Sequence, residues 1–537
     1  MINIKNVTYW YPDVDIPSIN NINLTVNEGD FILITGSSGC GKSTLMRLFN
    51  GIIPNYYGGK IKGQVFIKDK PLCKCSRLEI AKTCGVVYQH PEKQIVLSDV
   101  EREIAFGLEN LNMDLNSMKR NVAEVISFLN LSSKRNKSID ELSGGEKQKV
   151  AIASVIAMDP DILLFDEPTS ELDPVSAGEV LSTIKKLNTD FGKTVVLIEQ
   201  RLDRCFNMAS RIIFMDKGSI IDEGTPQSIP EKIDKKCFLP HVTYIFRKAG
   251  YKRVPTNVNE ARKLIENIKI ENYIPASYKT EDKIMEVQNL YFEYTKGYPA
   301  LKNVSFFINK GEILTVMGEN GAGKTTLFKI IAGLLDNYKG EIKFKGKSIK
   351  NLKLTDRIKI IGYLSQNPND YFGRDSVFDE AAYSLKNINE YSPDRVENIL
   401  KELDIFKLKD KNPRDLSGGE KERAAIACVL VLDPDILILD EPTRGMDADC
   451  KERLGELIRN IAASGKSVVL VTHDSDFAAD YSDRTLLMFD GEVTAFGPSI
   501  DILYNSIYYS PEVSKVFKNK CKIINSKDAI NLLKVTE

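Results

Sequence analysis

Two segments of this 537-residue chain set a lysine and a hydroxyl residue behind a run of glycines: GSSGCGKST at 36 to 44 and GENGAGKTT at 318 to 326. Both fit GxxxxGK[ST], and each follows an apolar run and precedes a helical one, the context in which such a loop wraps a polyphosphate. Backbone N–H groups and the helix N-terminus supply positive potential where phosphates sit. Lys42 and Lys324 then reach the terminal phosphates, and Ser43 and Thr325 offer a hydroxyl to Mg2+. Further on, ILLFDEP and ILILDEP bring adjacent carboxylates to a strand end, Asp166 with Glu167 and Asp440 with Glu441. The aspartates suit Mg2+ held through water, and the glutamates suit orienting and polarising an attacking water. LSGGEKQK and LSGGEKER add a second anion-binding helix start to each set, Ser143, Gly144 and Gly145 in one and Ser417, Gly418 and Gly419 in the other. Ser143 and Ser417 are also good N-caps, with Glu146 and Glu420 placed to close a capping box. The chemistry these residues share is phosphoryl transfer.

Such residues need elements to hold them, and the chain carries one set of elements twice. The glutamine of VVYQHP (Gln89) returns in YLSQNP (Gln366), and LLFDEPTSELD at 163 to 173 returns as LILDEPTRGMD at 437 to 447. The tails correspond as well: LPHVTYIFRKAG (239 to 250) with SPEVSKVFKNKC (510 to 521), and TNVNEARKLI (256 to 265) with INSKDAINLL (524 to 533). A unit of roughly 270 residues has been duplicated. Within each unit, short β-rich runs such as FILITG, TVVLIE, EILTVMG and SVVLVTHD alternate with longer helical stretches. That alternation predicts an α/β sheet with helices on both faces. The polar segment 266 to 283, interrupted by Pro275, reads as a linker. The expected domains are 1–230 and 284–498, each followed by a small C-terminal extension, 231–265 and 499–537.

Composition narrows the setting. With 73 Lys and Arg against 74 Asp and Glu, a net charge of -1 and 42% hydrophobic residues, the chain is no disordered tail protein and offers no global charge for nucleic acid. Nine unevenly spaced cysteines suit a reduced cytosolic environment, and Cys73, Cys75 and Cys84 lack the second pair a zinc finger requires. The start, MINIKNVTYWYP, has no basic region leading into a long apolar stretch, so no secretory signal is expected. The longest uncharged apolar runs, VAIASVIAM and AAIACVLVL, fall well short of the ~20 residues that span a bilayer. Work at a membrane would therefore run through partner subunits. Three histidines exist, His90, His241 and His473, so any imidazole chemistry uses one of them.

LSGGE between a glycine loop and a DEPT strand resembles the signature of ATP-binding-cassette (ABC) ATPases, and the resemblance covers nearly the whole chain twice. It implies tandem P-loop NTPase domains, each with a RecA-like core, an antiparallel β subdomain and an α-helical signature subdomain. It implies ATP and Mg2+ as cofactors and an intramolecular cassette–cassette dimer, in which the signature of one cassette closes over the nucleotide of the other. The implied nucleotide contacts are Tyr11, Gly36, Ser37, Ser38, Gly39, Cys40, Gly41, Lys42, Ser43, Thr44 and Gln89 with Ser417, Gly418 and Gly419. The matching set is Tyr294, Gly318, Glu319, Asn320, Gly321, Ala322, Gly323, Lys324, Thr325, Thr326 and Gln366 with Ser143, Gly144 and Gly145. Ser43, Gln89 and Asp166, and Thr325, Gln366 and Asp440, are the implied Mg2+ ligands. Tyr11 and Tyr294 would stack on adenine, and Asp173 and Asp447 lie in loops that cross between cassettes.

The same resemblance separates the two sites. Family members usually carry a histidine after the strand that follows DEPT, where it contacts the γ-phosphate. VVLVTHD supplies His473, whereas VVLIEQRLD places Gln200 there. Gln can hydrogen-bond a phosphate oxygen but carries no charge and is no acid near neutral pH. The site built on Lys42 is therefore expected to hydrolyse more slowly than the site built on Lys324, or mainly to bind.

YQHPEKQIVLSDVEREIAFGLEN and IEQRLD further resemble energy-coupling-factor (ECF) importer ATPases, with Gln94 and the AFGLEN ending as the closest features and Tyr371 in the place of Gln94 in the second copy. This implies a peripheral protein on the cytoplasmic face of the cell membrane. Its partners would be a transmembrane coupling subunit and a membrane-embedded substrate-binding subunit, importing a vitamin, a vitamin precursor or a metal ion. The implied docking segments are Gln94 to Asn110 and Tyr371 to Asn387, with Asp99, Glu101, Glu103, Asp375, Asp379 and Glu380 available to basic residues. Two alternatives stand: a fused sugar-type importer ATPase, suggested by EPTRGMD, and a soluble twin-cassette ATPase acting on ribosomes, a class that typically has a long basic linker.

Overall fold

The computed structural model describes residues 1–233, 235, 238–266, 268, 282–350 and 352–535. The chain divides into two compact units, Met1–Leu264 and Ile265–Glu537, and each contains one six-stranded and one four-stranded sheet.

In the first unit the run FILITG forms the strand Phe31–Gly36, buried along its whole length, as a parallel strand with covered faces must be. It pairs in parallel with Thr194–Ile198 on one side and Arg211–Asp216 on the other. Ile162–Asp166 and Cys84–Val87 continue the sheet in parallel, and Ser219–Gly224 closes the far edge antiparallel. The four-stranded sheet, in the order Ile19–Val26, Ile2–Trp10, Lys60–Ile67, Lys70–Pro71, is antiparallel. Ile2, Ile22 and Val65 from this sheet meet Ile34, Leu45, Phe49 and Ile198 in one core. Each such side chain contributes about 1.5–3 kcal/mol on burial, so the helix Lys42–Phe49 behind the first glycine loop is anchored through Leu45, Leu48 and Phe49. All parallel strands end at one edge, which brings Gly36, Val87, Asp166 and Ile198 together there, the edge where ligands bind in open α/β sheets.

Three helices, Val100–Asn110, Leu115–Phe128 and Gly144–Ile156, form the helical part. The first buries Val100, Glu103, Ile104 and Leu108, an i, i+4, i+8 stripe interrupted by one acid.

The second unit repeats this plan. Ile313–Gly318 lies between Ser467–Val471 and Arg484–Phe489, with Ile436–Asp440 and Ile361–Leu364 beyond the former and Glu492–Pro498 at the other edge. Its helical part is Val377–Asn387, Pro393–Glu402 and Gly418–Leu430. The tails pack on their own units through matching contacts. The His241 N–H donates to Asp203 Oδ1 (2.6 Å) and Asn207 Nδ2 to the Thr256 carbonyl (2.9 Å). The Glu512 N–H donates to Asp476 Oδ1 (2.9 Å) and the Ser526 N–H to Asp480 Oδ1 (2.7 Å). The segment read as a linker, 266–283, falls outside the described residues except at 266, 268, 282 and 283. Among the described residues, no helix is long and apolar enough to cross a membrane.

Candidate functional site

The glycine loops are dictated by close backbone approach. A Cβ on Gly36 would stand 2.1 Å from the Met215 carbonyl oxygen, and one on Gly318 would stand 2.1 Å from that of Met488, so neither position admits a side chain. Gly41 (φ 103°) and Gly323 (φ 90°) turn into the helices Lys42–Phe49 and Lys324–Ala332 in the left-handed region. The lysines fold back over the loops. Lys42 Nζ donates to the carbonyls of Gly36 and Ser37, both at 2.9 Å, and Lys324 Nζ to those of Gly318 and Glu319, both at 2.8 Å. Each is a buried cation held by carbonyls that a phosphate oxygen can replace with a stronger, charge-assisted bond. Ser37 Oγ is engaged with Asp216 Oδ1 at 3.0 Å.

Beside each lysine, a hydroxyl meets a carboxylate. Ser43 Oγ donates to Asp166 Oδ1 (3.2 Å) and Thr325 Oγ1 to Asp440 Oδ2 (2.9 Å). Hard oxygens in this number fit Mg2+, which keeps waters and substrate phosphates in its shell rather than using an all-protein cage. Among the described residues, no group of three His, Cys, Asp or Glu able to hold a metal alone occurs. Burial pushes the Asp166 and Asp440 carboxyls above the usual carboxylate range, against the bonds from Ser43 and Thr325. A bound cation reverses that direction.

Glu167 and Glu441 turn a strained corner, at φ 48° and 56°, where non-glycine residues are uncommon and side chains are aimed at a cost. Each corner is pinned to the adjacent strand, Glu167 N–H to the Ile198 carbonyl (3.0 Å) and Glu441 N–H to that of Val471 (2.8 Å). The two carboxylates then differ in company. Gln89 Nε2 donates to Glu167 Oε2 (3.2 Å) and Gln200 Nε2 to Glu167 Oε1 (2.6 Å), so both oxygens are held by amides. Burial raises the Glu167 carboxyl, with Lys42 opposing. In the second unit, His473 Nε2 stands 3.1 Å from Glu441 Oε1 and 3.1 Å from Asn320 Oδ1, reaching from carboxylate to glycine loop. Gln366 is exposed, two residues beyond the strand Ile361–Leu364. The structure thus gathers Lys42, Ser43, Gln89, Asp166, Glu167 and Gln200 in one cluster, and Lys324, Thr325, Asn320, Asp440, Glu441 and His473 in the other.

Tyr11 and Tyr294 both bond the threonine after the loop lysine and hydroxyl, to Thr44 Oγ1 at 3.3 Å and Thr326 Oγ1 at 3.2 Å. Tyr294 as a residue is 62% exposed. The Tyr11 hydroxyl also accepts from Arg47 (2.8 Å), and its ring has Tyr9 and Tyr57 nearly perpendicular at 5.0 and 6.0 Å. Ser143 and Ser417 close capping boxes with Glu146 and Glu420 at the starts of Gly144–Ile156 and Gly418–Leu430. A Cβ on Gly145 would meet Ser176 Oγ at 3.0 Å, but Gly144 and Gly418 face open space. Packing within the unit therefore does not demand glycine at those two positions. Asp173 and Asp447 cap Pro174–Thr189 and Ala448–Ala463.

Two acids expected to face a basic partner do not. Glu103 and Glu380 are buried: Glu103 Oε2 accepts the N–H groups of Val96 (3.0 Å) and Leu97 (2.8 Å), and Glu380 Oε2 those of Gly373 and Arg374, both at 2.7 Å. They close the loop ahead of their helices. Glu101 pairs with Arg135, whereas Asp375 and Asp379 are exposed and Asp99 is half-buried. Gln94 and Tyr371 do one task with different groups. Gln94 takes the Tyr88 N–H (2.9 Å) and donates to the Val86 carbonyl (3.1 Å), while the Tyr371 hydroxyl takes the Ser365 N–H (2.9 Å) and donates to the Tyr363 carbonyl (3.0 Å).

Sequence reasoning passes over three residues here: Arg47 on Tyr11, Tyr363, whose hydroxyl donates to Asp440 Oδ2 (3.2 Å), and Glu199, buried against Thr169. For the last two, the available signal was a polar residue where the other copy has a different type, Val86 for Tyr363 and Thr472 for Glu199.

Residues 19–170 and 301–444 match the ABC transporter family. A protein of Clostridium tetani assigned as an ABC transporter ATP-binding protein is 62% identical over 436 residues, 81% of this chain and 100% of that protein. One of Bacillus thuringiensis with the same assignment is 34% identical over 527 residues, 96% of this chain and 95% of its own. The crystal structure of the archaeal ribosome recycling factor aABCE1 with the ribosomal stalk protein aP1 superposes with a TM-score of 0.60, covering 93% of this chain and 91% of that one at 22% identity, a likeness of fold. Paired glycine loops, paired Asp-Glu corners and paired signature helices, with these matches, place the chain in the ABC transporter family as an ATP-hydrolysing protein of two tandem cassettes.

Proposed function

We propose that this protein is the ATP-binding subunit that energises a membrane importer of the energy-coupling-factor type, working on the cytoplasmic face of the membrane with a transmembrane coupling subunit and a membrane-embedded substrate-binding subunit. The observation that carries this reading is a continuous path from the catalytic corner to the surface. Glu167 is bonded to Gln89. Gln89 leads through the short turn Pro91–Lys93 and the backbone clamp of Gln94 into the helix Val100–Asn110. A bound nucleotide that moves Glu167 or Gln89 moves the base of that helix, a lid-type step in which binding energy becomes displacement. Asp99 beside the 66% exposed Val96 in the first unit, and the exposed Asp375 and Asp379 in the second, each offer an acidic segment suited to a basic helix of the coupling subunit. The cargo class, a vitamin, vitamin precursor or metal ion, follows the resemblance of the segment 88–110.

In this reading Lys42 and Lys324 neutralise the terminal phosphates of ATP, and Ser43, Gln89 and Asp166, with Thr325, Gln366 and Asp440, hold Mg2+. Glu167 and Glu441 polarise the attacking water, Tyr11 and Tyr294 support the adenine, and the Ser-Gly-Gly turns close over bound nucleotide. The Lys42 site is the slower one. Purification of the tagged chain from its native host, with identification of what accompanies it, tests the role: membrane subunits are expected, and recovery with ribosomes instead would refute it. Asp99→Lys with Asp379→Lys should abolish substrate uptake while the isolated chain keeps its ATPase activity.

A further inference from the structure

The strand Thr194–Ile198 of the first cassette leads into Glu199, a carboxylate 2% exposed with no part in the chemistry described above. Its Oε1 accepts both donors of Thr169, the N–H at 3.1 Å and the hydroxyl at 2.7 Å. Thr169 lies two residues beyond Glu167 and is itself buried. The intervening Pro168 fixes its own φ, so anchoring Thr169 restrains the whole Glu167–Thr169 corner. The same strand thus grips the corner twice, through the Ile198 carbonyl on the Glu167 N–H and through the next side chain on Thr169.

The second cassette does this differently. Thr472 occupies the matching place, and its hydroxyl lies 3.2 Å from that of Thr443, a single neutral contact. The cassette that lacks the histidine has therefore gained a buried acid one residue earlier. The ionisable groups facing Glu199 are Glu167 across the corner, Arg201 two residues on, and Cys205 from the turn that follows. Burial, with the charge of Glu167, pushes the Glu199 carboxyl up to about 7 against the bonds from Thr169.

We propose that Glu199 is a positioning residue of the first cassette, which by holding both donors of Thr169 sets the strained turn that aims Glu167 at the attacking water. This rests on the reading of Glu167 as the residue that polarises that water. A carboxylate holds two donors more tightly than a neutral acid does, so the alignment of Glu167 improves as Glu199 ionises.

The test uses the full-length chain carrying Glu441→Gln, so that turnover reports the first cassette. Glu199→Ala should lower kcat about 10- to 100-fold, the scale of a sub-ångström misalignment, with the KM for ATP little changed. Glu199→Gln keeps an acceptor without the charge and should lose the rise of kcat between pH 6 and 8. Glu199→Thr, which copies the second cassette, should recover part of the activity lost in Glu199→Ala. Should the alanine variant fail to fold in a thermal melt, the glutamine and threonine variants decide by their pH profiles. Parental kcat and pH profile in the glutamine and threonine variants would overturn the proposal. Glu167→Gln in the same background separates the two ideas. If it leaves turnover intact, the reading of Glu167 and the proposal both fail; if it abolishes turnover while the Glu199 variants do not alter it, the positioning role alone fails.

Discussion

Replacing the two corner glutamates one at a time should expose a large inequality between the sites. In the second cassette His473 Nε2 stands 3.1 Å from both Glu441 and Asn320, beside the loop, where a phosphate oxygen can replace the Asn320 contact. In the first, Gln200 spends its amide on Glu167 Oε1 at 2.6 Å, and Gln89 holds the other oxygen at 3.2 Å. Each Glu167 oxygen thus already accepts an amide hydrogen bond, which lowers its basicity toward the attacking water, and the phosphate lacks the imidazole donor. Removing one preorganised donor from a transition state costs about 2.7–4 kcal/mol, or about 10²–10³ in rate. The first site should therefore supply on the order of one hundredth of the turnover. Steady-state phosphate release from the full-length chain measures this directly. Glu167→Gln should leave more than about nine tenths of the activity, whereas Glu441→Gln should leave a few per cent. Gln200→His in the Glu441→Gln background should restore roughly tenfold of that residue, since it supplies the missing donor. A Glu167→Gln variant that loses more activity than Glu441→Gln would refute the reasoning, because the amide clamp would then be no hindrance.

Three further outcomes follow from packing and charge. Gly144→Ala and Gly418→Ala place a methyl in open space, so thermal stability should hold within about 0.5 kcal/mol while ATP hydrolysis falls at least tenfold; unchanged hydrolysis would mean that nothing approaches those turns. Glu103→Ala and Glu380→Ala each strip a buried acceptor from two loop N–H groups that are themselves only partly buried. Each should cost about 1–3 kcal/mol, read by denaturant unfolding. Glu422, buried, is pushed from 4.5 to about 8 by burial alone. The folded state thus keeps its proton where the unfolded chain has lost it. Stability is fully present below about pH 4.5 and is lost as pH rises through about 8, by up to about 5 kcal/mol. Glu422→Gln, which copies Gln148 of the first cassette, should therefore raise the melting temperature at pH 9 and leave it nearly unchanged at pH 5.

The repeat made the architecture legible. Each glycine loop, Asp-Glu pair and signature turn could be checked against its twin, and the strands that hold them are continuous apolar runs whose burial needs no tertiary knowledge. Legibility stopped where a side chain's role depends on which backbone group it finds. Glu103 and Glu380 read as a solvated acidic face because their neighbours in sequence are acidic. Their helices instead turn them inward at the position that takes two loop N–H groups, and no helical periodicity distinguishes a buried acid of that kind from an exposed one. Gln94 and Tyr371 show the converse. As residue types they weaken the match between the halves, yet both close the same pair of backbone groups, because a phenol and an amide can each accept one hydrogen bond and donate another. Glu199 and Thr472 occupy one place as Gln94 and Tyr371 do, but an acid and a hydroxyl differ in charge, so the exchange cannot be neutral. A duplicated chain therefore distinguishes two kinds of divergence. Where the new residue offers the same donors and acceptors, the cassettes remain equivalent. At 199 and 200 the first cassette carries a buried acid and an amide where the second carries a neutral hydroxyl and an imidazole, and both act at one corner: Gln200 bonds Glu167 itself, and Glu199 bonds Thr169 two residues on.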